Sequence, residues 1–228
     1  MIRVVEPELL DELPANDPRA LHSRRDLRLI NSWMGNARHL IRSLEAIRPR
    51  PKTIVELGAG DGRLMLKIAR TLAPKWKSPV QLQLLDMKPV VSSETLQAFR
   101  EMGWCAEVLA SNLQDWLNGS AQRVDLIVAN LFLHHFREDD LRVFFGHFGR
   151  MSHAFVSCDP RRWQPSLWTI NLLPLLGCNG VTLHDARISI RAGFRASELT
   201  ALWPAGSGFH LSERAAGYAS HLFCASRL

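Results

Sequence analysis

The chain has 228 residues, 46% of them hydrophobic, enough for one sizeable core with a small cap beside it. No apolar run approaches the ~18 residues a membrane span needs, and the acidic start MIRVVEPELLDELP lacks the apolar stretch of a secretory signal. The formal charge of +6 and pI ≈ 9.6 admit an anionic partner. The basic residues, however, are not interleaved with aromatics and form no recognition-helix pattern. Arg24, Arg25, Arg28, Arg38, Arg42, Arg48, Arg50 and Lys52 read most simply as a solvated basic face. Cys105, Cys158, Cys178 and Cys224 are scattered, with no CxxC pair, which predicts a reducing, cytoplasmic setting without a disulfide framework.

Residues 1–20 hold Pro7, Pro14 and Pro18 and should form an irregular arm. Leu27, Ile30, Met34, Ala37, Leu40, Ile41, Leu44 and Ile47 recur at three- and four-residue steps, one apolar helical stripe. Gly35-Asn36 should break it into two helices, and Pro49 and Pro51 should end it. Strand and helix patterns then alternate: strands at 53–57, 80–85, 104–109, 125–130 and 153–158, helices at 63–71, 92–102 and 138–148. Such alternation implies right-handed βαβ crossovers and a mostly parallel sheet. Residues 168–176 read as a buried helix and 196–203 as another, with Ser197 as N-cap. Residues 209–215 and 221–226 read as two last strands joined through Gly217. No linker is long enough to split the chain, so residues 1–50 form an arm and helical cap and residues 51–228 one domain.

The stretch VELGAGDGRL joins the first strand to a helix. Gly58 allows a sharp turn, Gly60 lets the backbone pass close to a ligand, and Gly62 lets the helix start pack on the sheet. Alone, such a loop is also compatible with a purely structural turn. Its acids discriminate further. A pyrophosphate at this helix N-terminus would be repelled by Glu56 and Asp61, which suit a cation such as an amino-acid ammonium. Asp86 ends the next strand 24 residues past Gly62 (86 − 62), the offset of an acid that accepts from ribose hydroxyls. A ligand with a ribose, a positive amino-acid tail and no phosphate fits S-adenosylmethionine better than a nicotinamide dinucleotide.

With these residues the sequence resembles the class I, S-adenosylmethionine-dependent methyltransferases. VELGAGDGRL is similar to their first motif, placing Glu56, Gly58, Ala59, Gly60, Asp61 and Gly62 at the cofactor. LQLLDMK is similar to the second, with Asp86 at the ribose and Met87 against the adenine. ASNLQDW is similar to the third, placing Asn112 and Leu113 by the adenine. Asn112 stands where the family often has Asp, and Asp115 is the rival for that contact. DLIVANLFLHHF is similar to the fourth, with Asn130 and Leu131 at the strand tip by the methionine part. The resemblance implies a Rossmann-like α/β fold. Its seven-stranded, mostly parallel sheet has an antiparallel last strand, with helices on both faces and the N-terminal cap added.

Methyl transfer from a sulfonium needs alignment more than acid–base chemistry, though a hydroxyl acceptor can use a base. His134 and His135 follow the fourth strand, at the edge where α/β sheets bind ligands, and are the candidate bases. A structural capping role is the competing reading. His184, beside Asp185, is the third candidate. For the acceptor, Trp33, Met34 and Asn36 of the cap, Asp159 and Arg161 after the fifth strand, and Arg191 are the candidates. Against them stand a cap merely packing on itself and an Asp-Pro turn with solvent arginines. No oxygen-rich cluster suggests a metal.

The leading expectation is methylation of a small molecule, most simply a phenolic or quinone-like oxygen. A nucleic-acid or protein methyltransferase is the alternative, supported by the positive charge but lacking the (D/N)PPY signature in the fourth motif. A non-catalytic module that binds S-adenosylmethionine is the third.

Overall fold

The apolar runs pair into one seven-stranded sheet in the computed structural model, which describes residues 1–14, 16–119 and 123–227. The strands are β1 (Thr53–Leu57), β2 (Val80–Asp86), β3 (Trp104–Ala110), β4 (Val124–Asn130), β5 (Ser152–Pro160), β6 (Phe209–Ala216) and β7 (Ser220–Arg227). Their order is β3-β2-β1-β4-β5-β7-β6. β1 to β5 are parallel, and β7 inserts antiparallel between β5 and β6. The expected Rossmann-like architecture is therefore the one observed.

Both faces of the central strands β1, β4 and β5 are buried, which is why those strands read as short continuous runs. Ile54, Leu126 and Val128 point to one core, Val55, Leu57, Ile127 and Ala129 to the other. The first core is covered by α3 (Asn36–Ala46), α4 (Arg63–Trp76) and α5 (Ser93–Glu101). The second is covered by α6 (Leu113–Gly119), α7 (Glu138–Met151) and α10 (Glu198–Leu202). Phe145, Phe155, Trp203 and Phe223 stack there with ring centroids 5.1–6.1 Å apart. Each such side chain stabilises the fold by roughly 1.5–3 kcal/mol through burial.

The remaining helices gather at the carboxyl edge of the sheet. The N-terminal stripe forms α2 (Pro18–Met34), with Asp17 accepting from the Arg19 N–H as N-cap, and α3 beyond Gly35. Gly35 sits at φ 72°, the left-handed conformation that ends α2 and opens α3. The arm is less irregular than expected: α1 (Leu9–Glu12) forms one turn. Two helices escape the sequence pattern. α6 is short, and α9 (Gly180–Ala192) buries the polar Thr182 and Asp185 among Val181, Ile188 and Ala192, so its apolar period is broken. Conversely, the helix expected as buried at 168–176 is α8 (Gln164–Thr169) running into a 3-10 stretch, Ile170–Leu176, with most of its large apolar side chains exposed. No helix of the described residues is long and apolar enough to cross a membrane.

Candidate functional site

The glycine loop leaves β1 with Gly58, Gly60 and Gly62 all at positive φ. Their neighbours differ. A Cβ on Gly58 would lie 2.5 Å from the Phe132 ring, and one on Gly62 would lie 3.3 Å from Leu84; above Gly60 there is open space. Gly58 and Gly62 are thus needed for packing, and Gly60 faces the room where a ligand fits. Ala59 donates its N–H to the Leu85 carbonyl, tying the loop to β2. Asp86 accepts from the Gly60 and Lys88 N–H groups at 2.8 and 2.7 Å.

Three carboxylates converge on this loop. Glu56 is buried, and its Oε2 has no hydrogen-bond partner. Burial, then repulsion from Asp61 and Asp86, pushes its carboxyl well above the usual carboxylate range. An unpartnered buried acid next to two more is what a cationic ligand would relieve. The donor set therefore fits S-adenosylmethionine: carboxylates for the ammonium, Asp86 for the ribose, open backbone at Gly60. Met87 is exposed on the same edge. The third motif contributes less. Asn112 accepts from the Asp115 N–H at 2.8 Å and donates to its carboxylate at 2.6 Å, so both side chains are occupied in capping α6. The Leu113 side chain is buried in the second core and not offered to a ligand.

At the tip of β4, Leu131 adopts φ 49°, a conformation costly for a branched side chain, held by its N–H to the Cys158 carbonyl. Asn130 accepts from Asn36 Nδ2 at 2.9 Å. Asn36 is fully buried and accepts from Ser220 Oγ at 2.6 Å, while Asn31 Oδ1 accepts from Asn36 and Asn130. This amide chain fastens the cap onto the strand tip. Arg28 adds a second tie, 3.3 Å from Asp61. Asn31 and Ser220 were not singled out in the sequence, where isolated polar residues carry no pattern.

The histidines are corrected by the structure. His134 is buried, with Nδ1 3.1 Å from Asp159 and Nε2 3.3 Å from Glu8. Hydrogen bonds and charge from both carboxylates outweigh burial and raise it to about 9, while the same pairing holds Glu8 at about 2. An imidazolium with both nitrogens occupied cannot act as a base. His135 stacks on it with centroids 4.3 Å apart; burial, then the charge of His134, push it down to about 4. His184 is exposed on α9, with Nδ1 3.0 Å from Asp185. Glu8, His134 and His135 bring ligand atoms within 4.8 Å of one another, a trio the sequence did not suggest because Glu8 lies 126 residues from His134.

Other acceptor candidates prove structural. Asp159 is buried and accepts from the Phe132 and His134 N–H groups, shaping the turn after β4 rather than lining a pocket. Asp185 accepts from the Leu9 and Leu10 N–H groups, Ser189 donates to Glu8, and Arg191 lends its carbonyl to Val4 with its side chain exposed. α9 therefore anchors the arm. Lys88 reaches the Asp11 carbonyl from the loop after Asp86, so the arm crosses the ligand edge. Trp33 and Arg161 remain at the edge. Trp33 meets Tyr218 edge-on at 6.3 Å, Tyr218 meets Trp163 at 5.2 Å, and the Arg161 guanidinium lies 4.2 Å over Trp163. A cavity of about 350 Å³ opens there, lined by Arg161, Arg162, Trp163, Arg195 and His221 among others. Met34 is half-buried.

Known proteins share this fold. Residues 54–153 match the model of a methyltransferase-domain family. No curated protein sequence matches the chain. Among solved structures, the plantazolicin methyltransferase BpumL in complex with SAH aligns with a TM-score of 0.60 at 13% identity, over 93% of this chain and 92% of that one. The mitomycin 7-O-methyltransferase MmcR aligns at 0.63 and 17%, over 96% of this chain and 60% of its own. Magnesium protoporphyrin IX methyltransferase from Synechocystis PCC 6803 with bound SAM aligns at 0.52 and 11%, over 90% and 84%. At such identities the likeness is one of fold. Residues 54–153 thus carry a methyltransferase domain, and the chain as a whole shares the fold of methyltransferases solved with SAH or SAM.

Proposed function

We propose that this enzyme methylates a phenolic or quinone-like oxygen of a small molecule. The observation that carries the reading is the aromatic wall of Trp33, Tyr218 and Trp163 beside the Asn36–Asn130 tie. A planar acceptor can lie against such rings. The solved neighbours are named for plantazolicin, mitomycin and magnesium protoporphyrin, which supports a small-molecule acceptor, and the mitomycin enzyme's name, a 7-O-methyltransferase, supports an oxygen. Residues 1–50 act as a cap over the domain formed by residues 51–228.

When bound, S-adenosylmethionine supplies a methyl already activated on sulfonium. The chain's part is to hold and align. In this reading Glu56 and Asp61 hold the ammonium, Asp86 the ribose, Met87 the adenine, and Asn130 and Leu131 flank the methionine portion. Trp33, Met34 and Asn36 close over the acceptor, and Arg161 lines its entrance. No protein base is assigned, because His134 is ion-paired and His135 is held at about 4. This favours an acceptor whose hydroxyl ionises near neutral pH, as that of a hydroxyquinone does.

Calorimetric titration with S-adenosylhomocysteine, repeated on Asp86→Ala, tests the cofactor half. Tight binding that falls at least tenfold in the variant is expected. Turnover of a panel of phenols, hydroxyquinones, aromatic amines, peptides and RNA tests the acceptor. Methylation of peptide or RNA in preference to every phenol and hydroxyquinone would overturn the reading.

A further inference from the structure

The segment after β5 exposes an apolar face unusual for a surface in contact with water only. Trp168, Leu172, Leu175 and Leu176 are 66%, 57%, 82% and 66% exposed. Their spacing of four, three and one residues puts them on one side of the α8–3-10 segment. α2 lies alongside. His22 reaches the Gly177 carbonyl at 3.2 Å and Asn179 donates to the Arg19 carbonyl at 2.9 Å at one end. Trp33, Tyr218 and Trp163 join the two at the other. α2 adds Leu21, Leu29 and Trp33, all more than half exposed and spread over about 120° of the helix. The face is thus shared by two elements.

Its charge is one-sided. α2 carries Arg19, Arg24, Arg25 and Arg28 against a single acid, Asp26, which is buried. Residues 160–180 contain no acid; of their two arginines, Arg162 is buried against Glu198 and Arg161 is half-buried. Arg19 pairs with Asp17 and Arg28 with Asp61, while Arg25 is exposed. A second copy docking through a two-fold axis would set this basic rim against itself, which is repulsive. An anionic bilayer accepts both parts: arginines at the headgroups, leucines and tryptophan below them.

We propose that this face docks the protein on an anionic membrane surface through Trp168, Leu172, Leu175 and Leu176 with the α2 arginines around them. The inference is independent of the acceptor. Co-sedimentation of the full chain with vesicles of phosphatidylcholine, alone or mixed with phosphatidylglycerol, tests it. Binding is expected on the mixed vesicles, weak on phosphatidylcholine, and weaker as salt rises. The Trp168→Glu, Leu175→Glu double variant should lose at least tenfold in vesicle affinity, and Arg25→Glu should lose affinity on the mixed vesicles. Val143→Glu, a charge added at an exposed position on α7 outside the face, should change little. All variants should titrate S-adenosylhomocysteine as the parent does, showing that they fold. Absence of binding to mixed vesicles at low salt would overturn the proposal. So would equal losses in Val143→Glu and the double variant. So would a dimer in sedimentation velocity, dispersed by Leu175→Glu, in a protein that ignores vesicles.

Discussion

Glu8→Gln should release the N-terminal arm from the sheet edge, and the size of the effect follows from the buried pair. His134 is raised from 6.5 to about 9 and Glu8 is lowered from 4.5 to about 2, so each partner reports about 2.5 pH units. At 1.36 kcal/mol per unit this is about 3 kcal/mol. The His134 shift includes its bond to Asp159, which Glu8→Gln leaves in place, so the Glu8 shift is the measure of the latch and the two are not added. The raised His134 contributes fully below pH 6.5, and its contribution is lost as pH rises through about 9. The depressed Glu8 contributes fully above pH 4.5, and its contribution is lost as pH falls through about 2. Arm docking is therefore strongest between those limits. The Leu9 and Leu10 amides report it directly, because both donate to Asp185 only while the arm is docked. Hydrogen exchange, corrected for its intrinsic pH dependence, should show their protection falling about a hundredfold in Glu8→Gln at pH 6.5. In the parent, protection should decline between pH 6.5 and 9.5. Protection that is flat over that range, and unchanged in the variant, would refute the ion pair as the latch.

Two further outcomes concern the glycine loop. Glu56 holds a proton well above the usual carboxylate range in the ligand-free protein, and a bound ammonium should expel it. The calorimetric enthalpy of S-adenosylhomocysteine binding near pH 7 should then vary with the buffer's ionisation enthalpy, and Glu56→Gln should abolish that variation. A parent enthalpy indifferent to buffer would count against Glu56 at the ammonium. Gly58→Ala and Gly60→Ala should separate packing from binding. Both impose positive φ on a side chain, at roughly 1–2 kcal/mol. Only Gly58→Ala also drives a Cβ into Phe132, so urea unfolding should show it to be the less stable of the two. Gly60→Ala should lose more cofactor affinity than stability.

The sheet was legible because its signals are local. β1, β4 and β5 are short, largely apolar runs and β2 begins as an alternating one, VQLQLLD, each between helical patterns, and Gly58, Gly60 and Gly62 announce a turn wherever they stand in the chain. The acids that gather at the glycine loop, Glu56, Asp61 and Asp86, lie within 30 residues of each other (86 − 56) and also read directly. α9 gave no signal, and the exposed 170–176 stretch read as a buried helix. A helix that buries Thr182 and Asp185 shows no apolar period, and an apolar run carries no mark of which surface covers it.

By itself, then, the sequence determined the α/β fold, the cofactor loop and the chemistry that loop accepts, since propensity, periodicity and the glycines' positive φ act over a few residues. Only the tertiary structure decided what His134, His135, Asp159 and Asp185 do. Their roles depend on Glu8 and the arm arriving from more than a hundred residues away. A histidine offered as a base becomes a fixed cation once two carboxylates from distant segments close on it, because in a buried site the partners, and not the side chain's own chemistry, set the proton's place.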